Sequence, residues 1–593
     1  MRVGRGSWAF GALFVVVPSA AWAADGAEAS APVEAAPPAP VEAPVDAPEE
    51  PAPEPMAGTL QGGSTHGLED FRFRFYQSDQ RLPDFPDEPV YDYQEFVERL
   101  QLTGGSSLLT LGLQGDAVML ASNEYILDDE RSFERELWSA GLMGPHPNVW
   151  FGLEKLWLTG QSGGLSWTLG DSYEAFGRGL SLNMVRNTDI DVDTSLRGLH
   201  AAWSGGPWEL HLVEAVANPQ QMRMENPNVG MKPDLPHAVH GLRADWYGPV
   251  HVGAQGVAFQ FARAYDPTGN PFVAWRSGLD AAVAGATVEA SSVGPFDLGA
   301  EFDYFAYDAP EIPVKSGYAG YVSASAYPGV AVVLLEGKLY KDTEWANTLT
   351  SGEGYEVVSG PSLEYDRAIT EDSSAAVNSN DVAGGRARVD FALGQGSDTI
   401  TPYVSVASFR DQDLGGVHFN AEPETIVHAM GGILLIRGEF HVLFNGGYRM
   451  DLRDDAPASN PGDSTAHGDL SVTIPLGHEL SVELAPNVLH YHWGVNPVQQ
   501  TDYTDFSSAV AFKIGTPYAI IVYTDYSDNS LIASTGNVSD AVYMAGELQW
   551  QPTSATTLKL FYGAYRAGIR CAGGQCRTLP GFEGARASFT ANF

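Results

Sequence analysis

Ala585-Arg586-Ala587-Ser588-Phe589-Thr590-Ala591-Asn592-Phe593 closes the sequence on strict two-residue alternation. Successive side chains of a strand point to opposite faces, so the Ala and Phe positions share one side and Arg586, Ser588, Thr590 and Asn592 the other. The same texture recurs upstream. Phe71, Phe73 and Phe75 alternate with Arg72 and Arg74; Phe296, Leu298, Ala300, Phe302 and Tyr304 with Asp297, Gly299, Glu301 and Asp303. Ala387, Val389, Phe391 and Leu393 alternate with Arg386, Arg388 and Asp390, and Val542, Met544, Gly546, Leu548 and Trp550 with Tyr543, Ala545, Glu547 and Gln549.

A water-soluble sandwich alternates in the same way, so the choice rests on strand length and connections. The candidate strands run to about 10 residues or more, enough to cross a bilayer when tilted, whereas soluble strands average about five or six. They begin near Asp70 to Gln77 and Gln94 to Thr103 and end near Thr556 to Arg570 and Glu583 to Phe593. Tyr247-Gly248-Pro249, Val293-Gly294-Pro295, Pro328-Gly329, Arg437-Gly438-Glu439, Pro475-Leu476-Gly477 and Gly515-Thr516-Pro517 read as tight turns. Ser122 to Pro147, Asn218 to Pro236, Asp342 to Val382 and Arg453 to His467 read as long polar connections. Short and long alternate, as in membrane barrels. The expectation is an all-β chain, a large antiparallel transmembrane β-barrel of about 24 strands, within roughly 20 to 28 and even in number.

Ahead of the barrel, Arg2 and Arg5 precede an apolar stretch from Phe10 to Val17, then Pro18 and Ala21-Trp22-Ala23. This pattern predicts a secretory signal peptide over residues 1–23. Residues 24–66, rich in Ala, Pro and Glu, cannot bury a core and are expected to be a disordered periplasmic spacer, with the barrel over 67–593. No other apolar run approaches a helical span: Val330 to Leu335 and Tyr518 to Tyr523 are about six residues each against the ~20 required. The expected location is the cell outer membrane with both termini periplasmic, in contact with lipid and lipopolysaccharide. The N-terminal segment is open to a periplasmic contact. Phe593, an aromatic terminus on an alternating strand, resembles the signal by which the barrel-assembly machinery recognises its clients.

The net charge of −41 removes the cationic surface that phosphate demands, which argues against a nucleic-acid partner. Cys571 and Cys576, in Arg-Cys-Ala-Gly-Gly-Gln-Cys-Arg, are expected to close a small disulfide at an exposed loop tip, since two glycines let the chain double back in an oxidising compartment. No cofactor, metal site or catalytic group is assigned. His490 and His492 share a strand face near the rim and read as hydrogen-bonding residues. The acidic connection with Asp342, Glu344, Glu353, Glu356, Glu364, Asp366, Glu371 and Asp372 lacks the ligand order of a calcium loop.

The stretch from Gly170 to Gly198 departs from the strand rhythm. It contains Gly170-Asp171-Ser172-Tyr173, Phe176-Gly177-Arg178-Gly179-Leu180 and Leu196-Arg197-Gly198. In these motifs it resembles an uncharacterised family of predicted bacterial outer-membrane barrels. That resemblance implies a fold and a location and no activity. Physically, Arg178 and Arg186 stand among Asp171, Glu174, Asp189, Asp191 and Asp193, with Tyr173 beside them, and Gly177 and Gly179 permit a tight reversal. Two readings follow: an inward loop whose opposed charges narrow the lumen, or a loop pinned by ion pairs to the inner wall. Arg72, Arg74, Asp297, Glu301, Asp303, Arg386, Arg388 and Asp390 are candidates for a polar lumen wall. The function expected is a porin-like channel for polar solutes; the alternatives are a closed structural or adhesion barrel and an outer-membrane enzyme.

Overall fold

A computed structural model of the chain describes residues 64–76, 93–106, 108–122, 149–184, 186–187, 192–219, 237–261, 280–308, 315–343, 382–395, 398–411, 424–453, 462–493, 501–528, 542–565, 568–572, 575–579 and 582–592. The expected signal peptide, nearly all of the expected spacer and Phe593 lie outside the described residues. The fold follows from one requirement: in an apolar medium every backbone N–H and C=O needs a partner within the protein, and a sheet meets it only by closing on itself. The first strand, Ser64–Tyr76, pairs antiparallel with Tyr93–Gly105 on one side and with Phe582–Asn592 on the other. Chain neighbours pair in turn between them, and the wall closes with 24 antiparallel strands.

The sequence order breaks at two places. Leu165–Ser172 pairs directly with Val192–Gly205, bypassing the residues between. Thr556–Tyr565 pairs with Phe582–Asn592, leaving outside the wall a hairpin of Gly568–Ala572 and Gln575–Leu579. Wall strands run from 8 residues at Leu165–Ser172 to 16 at Gly462–Gly477. Among the described residues, the short turns that join consecutive wall strands lie at one end of the barrel, together with the start of the first strand and the end of the last; the strand ends that border the longer connections lie at the other.

Several boundaries differ from the sequence expectation, among them the first strand, which begins at Ser64 and not near Asp70. The turn at Pro475-Leu476-Gly477 moves to His478 and Glu479, both with positive φ, because the ladder continues to Gly477 after an irregularity beyond Pro475. The connection from Arg453 to His467 is shorter than expected, since the next strand already begins at Gly462 and pairs from there with Leu452. The strand from Thr556 stops at Tyr565, and Arg570 belongs to the separate hairpin.

Burial is inverted relative to a water-soluble protein. On Phe296–Asp308, Phe302 is 52% exposed while its neighbour Asp303 is fully buried. Leu242, Val252, Val288, Val322 and Leu335 are exposed outside; Arg243, Asp245, Gln255, Thr287 and Glu301 are buried on the opposite face. Charged groups stay under cover only when partnered, so this arrangement marks an apolar outer band facing lipid and a polar inner wall. Among the described residues no helix is long and apolar enough to cross a membrane; the strands do the crossing.

Val322→Arg puts a charge on the outer face in mid-strand and is expected to destabilise the lipid-embedded barrel by about 2–4 kcal/mol. Equilibrium unfolding in denaturant from lipid vesicles checks this. A change within about 0.5 kcal/mol, ordinary for a surface site in water, would contradict a lipid-facing assignment.

Candidate functional site: an inward hairpin on the barrel wall

After Ser172 the chain leaves the wall and forms a short hairpin, Glu174–Phe176 against Leu182–Met184. Its tip reverses through Gly177 and Gly179, at φ of 60° and 83°, and the Gly179 N–H donates to the Phe176 carbonyl at 2.9 Å. A side chain on Gly177 would collide with the Glu301 carboxylate as well as strain the backbone. The return passes through Arg186–Asn187, which pairs with Val192–Asp193 at the start of the next wall strand.

One face of the hairpin is apolar. Phe176, Leu180, Leu182 and Met184 are at most 1% exposed and join one cluster with the inward Val213, Val239, Val257, Phe259, Val283 and Phe305. The wall is recessed where Phe176 docks: a Cβ on Gly241 would sit 2.9 Å from its ring. Each such side chain contributes about 1.5–3 kcal/mol on leaving water. The hairpin is therefore held as a piece of core.

The tip is polar. The Arg178 backbone N–H donates to Glu301 Oε2 at 2.6 Å, and Gln255 Nε2 donates to Glu301 Oε1 at 3.1 Å and to Asp303 Oδ1 at 2.9 Å. Arg243 grips Asp245 with two hydrogen bonds of 2.7 and 2.6 Å and donates to Thr287 at 3.0 Å and to Gln255. The Arg178 guanidinium lies 4.2 Å from the centre of the Tyr321 ring. The Tyr321 hydroxyl donates to Glu336 at 2.5 Å, and Arg386 donates to the same carboxylate at 2.7 Å. One network thus runs from the hairpin tip across the inner wall.

Behind the hairpin, Asp171 is buried and accepts from the Leu156 N–H at 2.8 Å, from Ser195 Oγ at 2.9 Å and from Arg197 at 3.2 Å. The Lys155 ammonium donates to the Tyr173 hydroxyl. Glu174 turns to the inner wall, where it meets His200 Nε2 in close contact and His211 Nδ1 at 3.6 Å. Burial pushes the Glu174 carboxyl up, but the close contact and charge of His200 and His211 outweigh it and bring it down to about 2. One oxygen of Glu174 and one nitrogen of each histidine lie within 4.8 Å of one another, a spacing on which a metal ion can sit.

Of the residues singled out in the sequence, the structure unites Glu174, Arg178, Glu301, Asp303 and Arg386 around the hairpin. Arg388 pairs with Asp390 at 2.8 Å and stacks on Tyr403 farther round the wall. Asp297 instead accepts the Ser292 N–H at 2.6 Å beside a tight turn. The side chains of Arg186, Asp189, Asp191 and Asp193, and of Arg72 and Arg74, lie outside the described residues. His490 lies 3.0 Å from Thr504 Oγ1, and His492 pairs with Asp502 at 2.5 Å. Sequence reading missed His200, His211, Gln255, Arg243, Tyr321 and Glu336. Their only signal was a polar or aromatic side chain on the inward parity of an alternating strand.

Comparison with known proteins adds a partial sequence match. Residues 503–593 match a family of unknown function (DUF6029), a stretch that does not include the hairpin. No curated protein matches the chain in sequence. In structure the chain is similar to the siderophore receptor PirA from Pseudomonas aeruginosa, at a TM-score of 0.41 and 9% identity over 89% of this chain and 80% of that one. It is also similar to the outer membrane protein OpdK from Pseudomonas aeruginosa, at 0.35 and 13% over 70% and 98%. A third similar structure is Wzi of Escherichia coli, described as a carbohydrate-binding β-barrel, at 0.32 and 11% over 70% and 84%.

Gly177→Ala is expected to loosen the hairpin by about 1 kcal/mol or more through its positive φ and through the collision with Glu301. Limited proteolysis of the folded barrel should then cleave within 173–191 several times faster than in the wild type. Unchanged cleavage would mean that the tip is not held by this contact.

Proposed function

We propose that this chain is a porin-like channel of the outer membrane for polar solutes, with the hairpin at 174–184 as the segment that narrows its lumen. The observation that carries the reading is the inward hairpin bonded through Arg178 to Glu301 and Tyr321 on the inner wall. A closed barrel with an apolar outer band and a charged inner wall supports passage of polar rather than apolar cargo. Crowding of the described short turns between wall strands at one end supports an orientation with that end, and both termini, in the periplasm. The Gly170-to-Gly198 motifs are proposed as the mark of an uncharacterised barrel family.

A second reading has its own support. The cluster formed by Phe176, Leu182, Met184, Val257 and Phe305 is packed like a core, which suits a closed barrel in which the hairpin is a fixed plug. Single-channel recording separates the two. The channel reading expects stable conductance steps in the wild type and a several-fold larger step when residues 174–184 are replaced by a short Gly-Ser linker. A silent wild type and a conducting linker variant would favour the plug; silence in both would overturn the channel.

Cys571 and Cys576 face each other in register across the 568–579 hairpin, at the end with the long connections. This supports the proposed disulfide. Alkylation of the non-reduced, denatured protein is expected to modify neither cysteine, and both after reduction, as read by intact mass.

A further inference from the structure

We propose that Glu174, His200 and His211 form a binding site for a divalent transition-metal ion, zinc above all, that staples the inward hairpin to the barrel wall. The proposal rests on the position of the hairpin and not on conduction.

The two histidines stand on neighbouring strands of the wall, Val192–Gly205 and Trp208–Pro219. His200 is opposite Val213 and His211 opposite Ala202, so they are diagonal neighbours on one face. Their rings stack with centres 6.2 Å apart. Glu174 comes from a different part of the chain, the first strand of the hairpin, and completes the group from above the wall. Its carboxylate and the two ring nitrogens lie within 4.8 Å of one another. Ligands at about 2.0–2.2 Å in a zinc tetrahedron are spaced roughly 3.3 Å apart, so an ion would open the close Glu174–His200 contact and draw in the longer separation to His211.

The nitrogens are prepared for a metal in two respects. His200 Nε2 and His211 Nδ1 are buried and neither makes a well-formed hydrogen bond, although both face the carboxylate. On the far side of the second ring, His211 Nε2 lies 3.4 Å from Glu209 Oε1. A proton on Nε2 shared with that carboxylate leaves the Nδ1 lone pair directed at Glu174, the carboxylate–histidine–metal arrangement that orients ligands and strengthens them. Glu209 is itself held, accepting from the Tyr247 hydroxyl at 3.1 Å.

The donor set selects the class of ion. Two imidazoles and one carboxylate suit zinc and its neighbours in the first transition row, whereas calcium and magnesium take oxygen ligands. Three protein ligands leave a fourth position for water or for a donor group of a passing solute. Because the ligands come from both wall and hairpin, the ion would add directly to the force that keeps the hairpin docked.

The test is zinc titration, by calorimetry, of the full chain folded in detergent and freed of metal with a chelator. The wild type is expected to take up about one tight zinc ion per chain, and Glu174→Gln and the double variant H200A/H211A to lose at least tenfold in affinity. H490A/H492A, at the rim, should bind as the wild type does. Zinc should also slow proteolysis within 173–191 in the wild type and not in the double variant. Folding of each variant is checked by its shifted migration in unheated detergent gels. Weak uptake of many ions, equal in all these variants, would overturn the proposal and assign the binding to the acidic surface. Tight binding in the wild type without protection of the hairpin would overturn the staple.

Discussion

The ladder between Ser64–Tyr76 and Phe582–Asn592 joins the first part of the barrel to the last and leaves the sheet without an edge. Lipid offers no hydrogen bonds, so the whole wall depends on that closure: an open edge would strand a row of donors and acceptors, at several kcal/mol for each group. Once the ring is closed, side-chain parity is set for every strand. Phe302 and Val322 must face outward, and Asp303 and Glu301 inward, whatever lies inside.

What lies inside is unusual for a water-filled lumen. Next to the hairpin, the inward positions of several strands are Val213, Val257, Phe259, Val283 and Phe305, so at this level the wall is apolar on both faces. An inner wall that faced only water would have no reason to be apolar there. The hairpin supplies the reason, because its own apolar face needs a complementary surface, and the recess at Gly241 is shaped for Phe176.

The polar half of the interface obeys a different constraint. Glu301 and Asp303 are adjacent inward carboxylates with little exposure to water, and burial of such groups is costly unless donors surround them. Gln255 serves both, Arg243 stands behind it, and the backbone N–H of Arg178 takes one oxygen of Glu301. A backbone donor can approach so closely only because Gly177 has no side chain. Hairpin tip and wall therefore specify one another, and the arginine adds its ring contact with Tyr321 at the same point.

The all-β class, the alternation that sorts residues between the two faces and most turn positions were legible in the sequence, because each depends on neighbours along the chain: a period of two needs only a few residues to declare itself. Gly177 and Gly179 announced a reversal for the same reason. Turn placement at His478 and Glu479 was not legible, since two residues outside the usual turn types were forced into positive φ by pairing that continued past Pro475. Nor were the partners of the hairpin. Arg178 and Glu301 are 123 residues apart, and Glu174 meets two histidines from two different strands. The sequence by itself determined which way each wall side chain faces; only the tertiary structure decided which of the inward ones meet, because ring closure sets the distances across the interior.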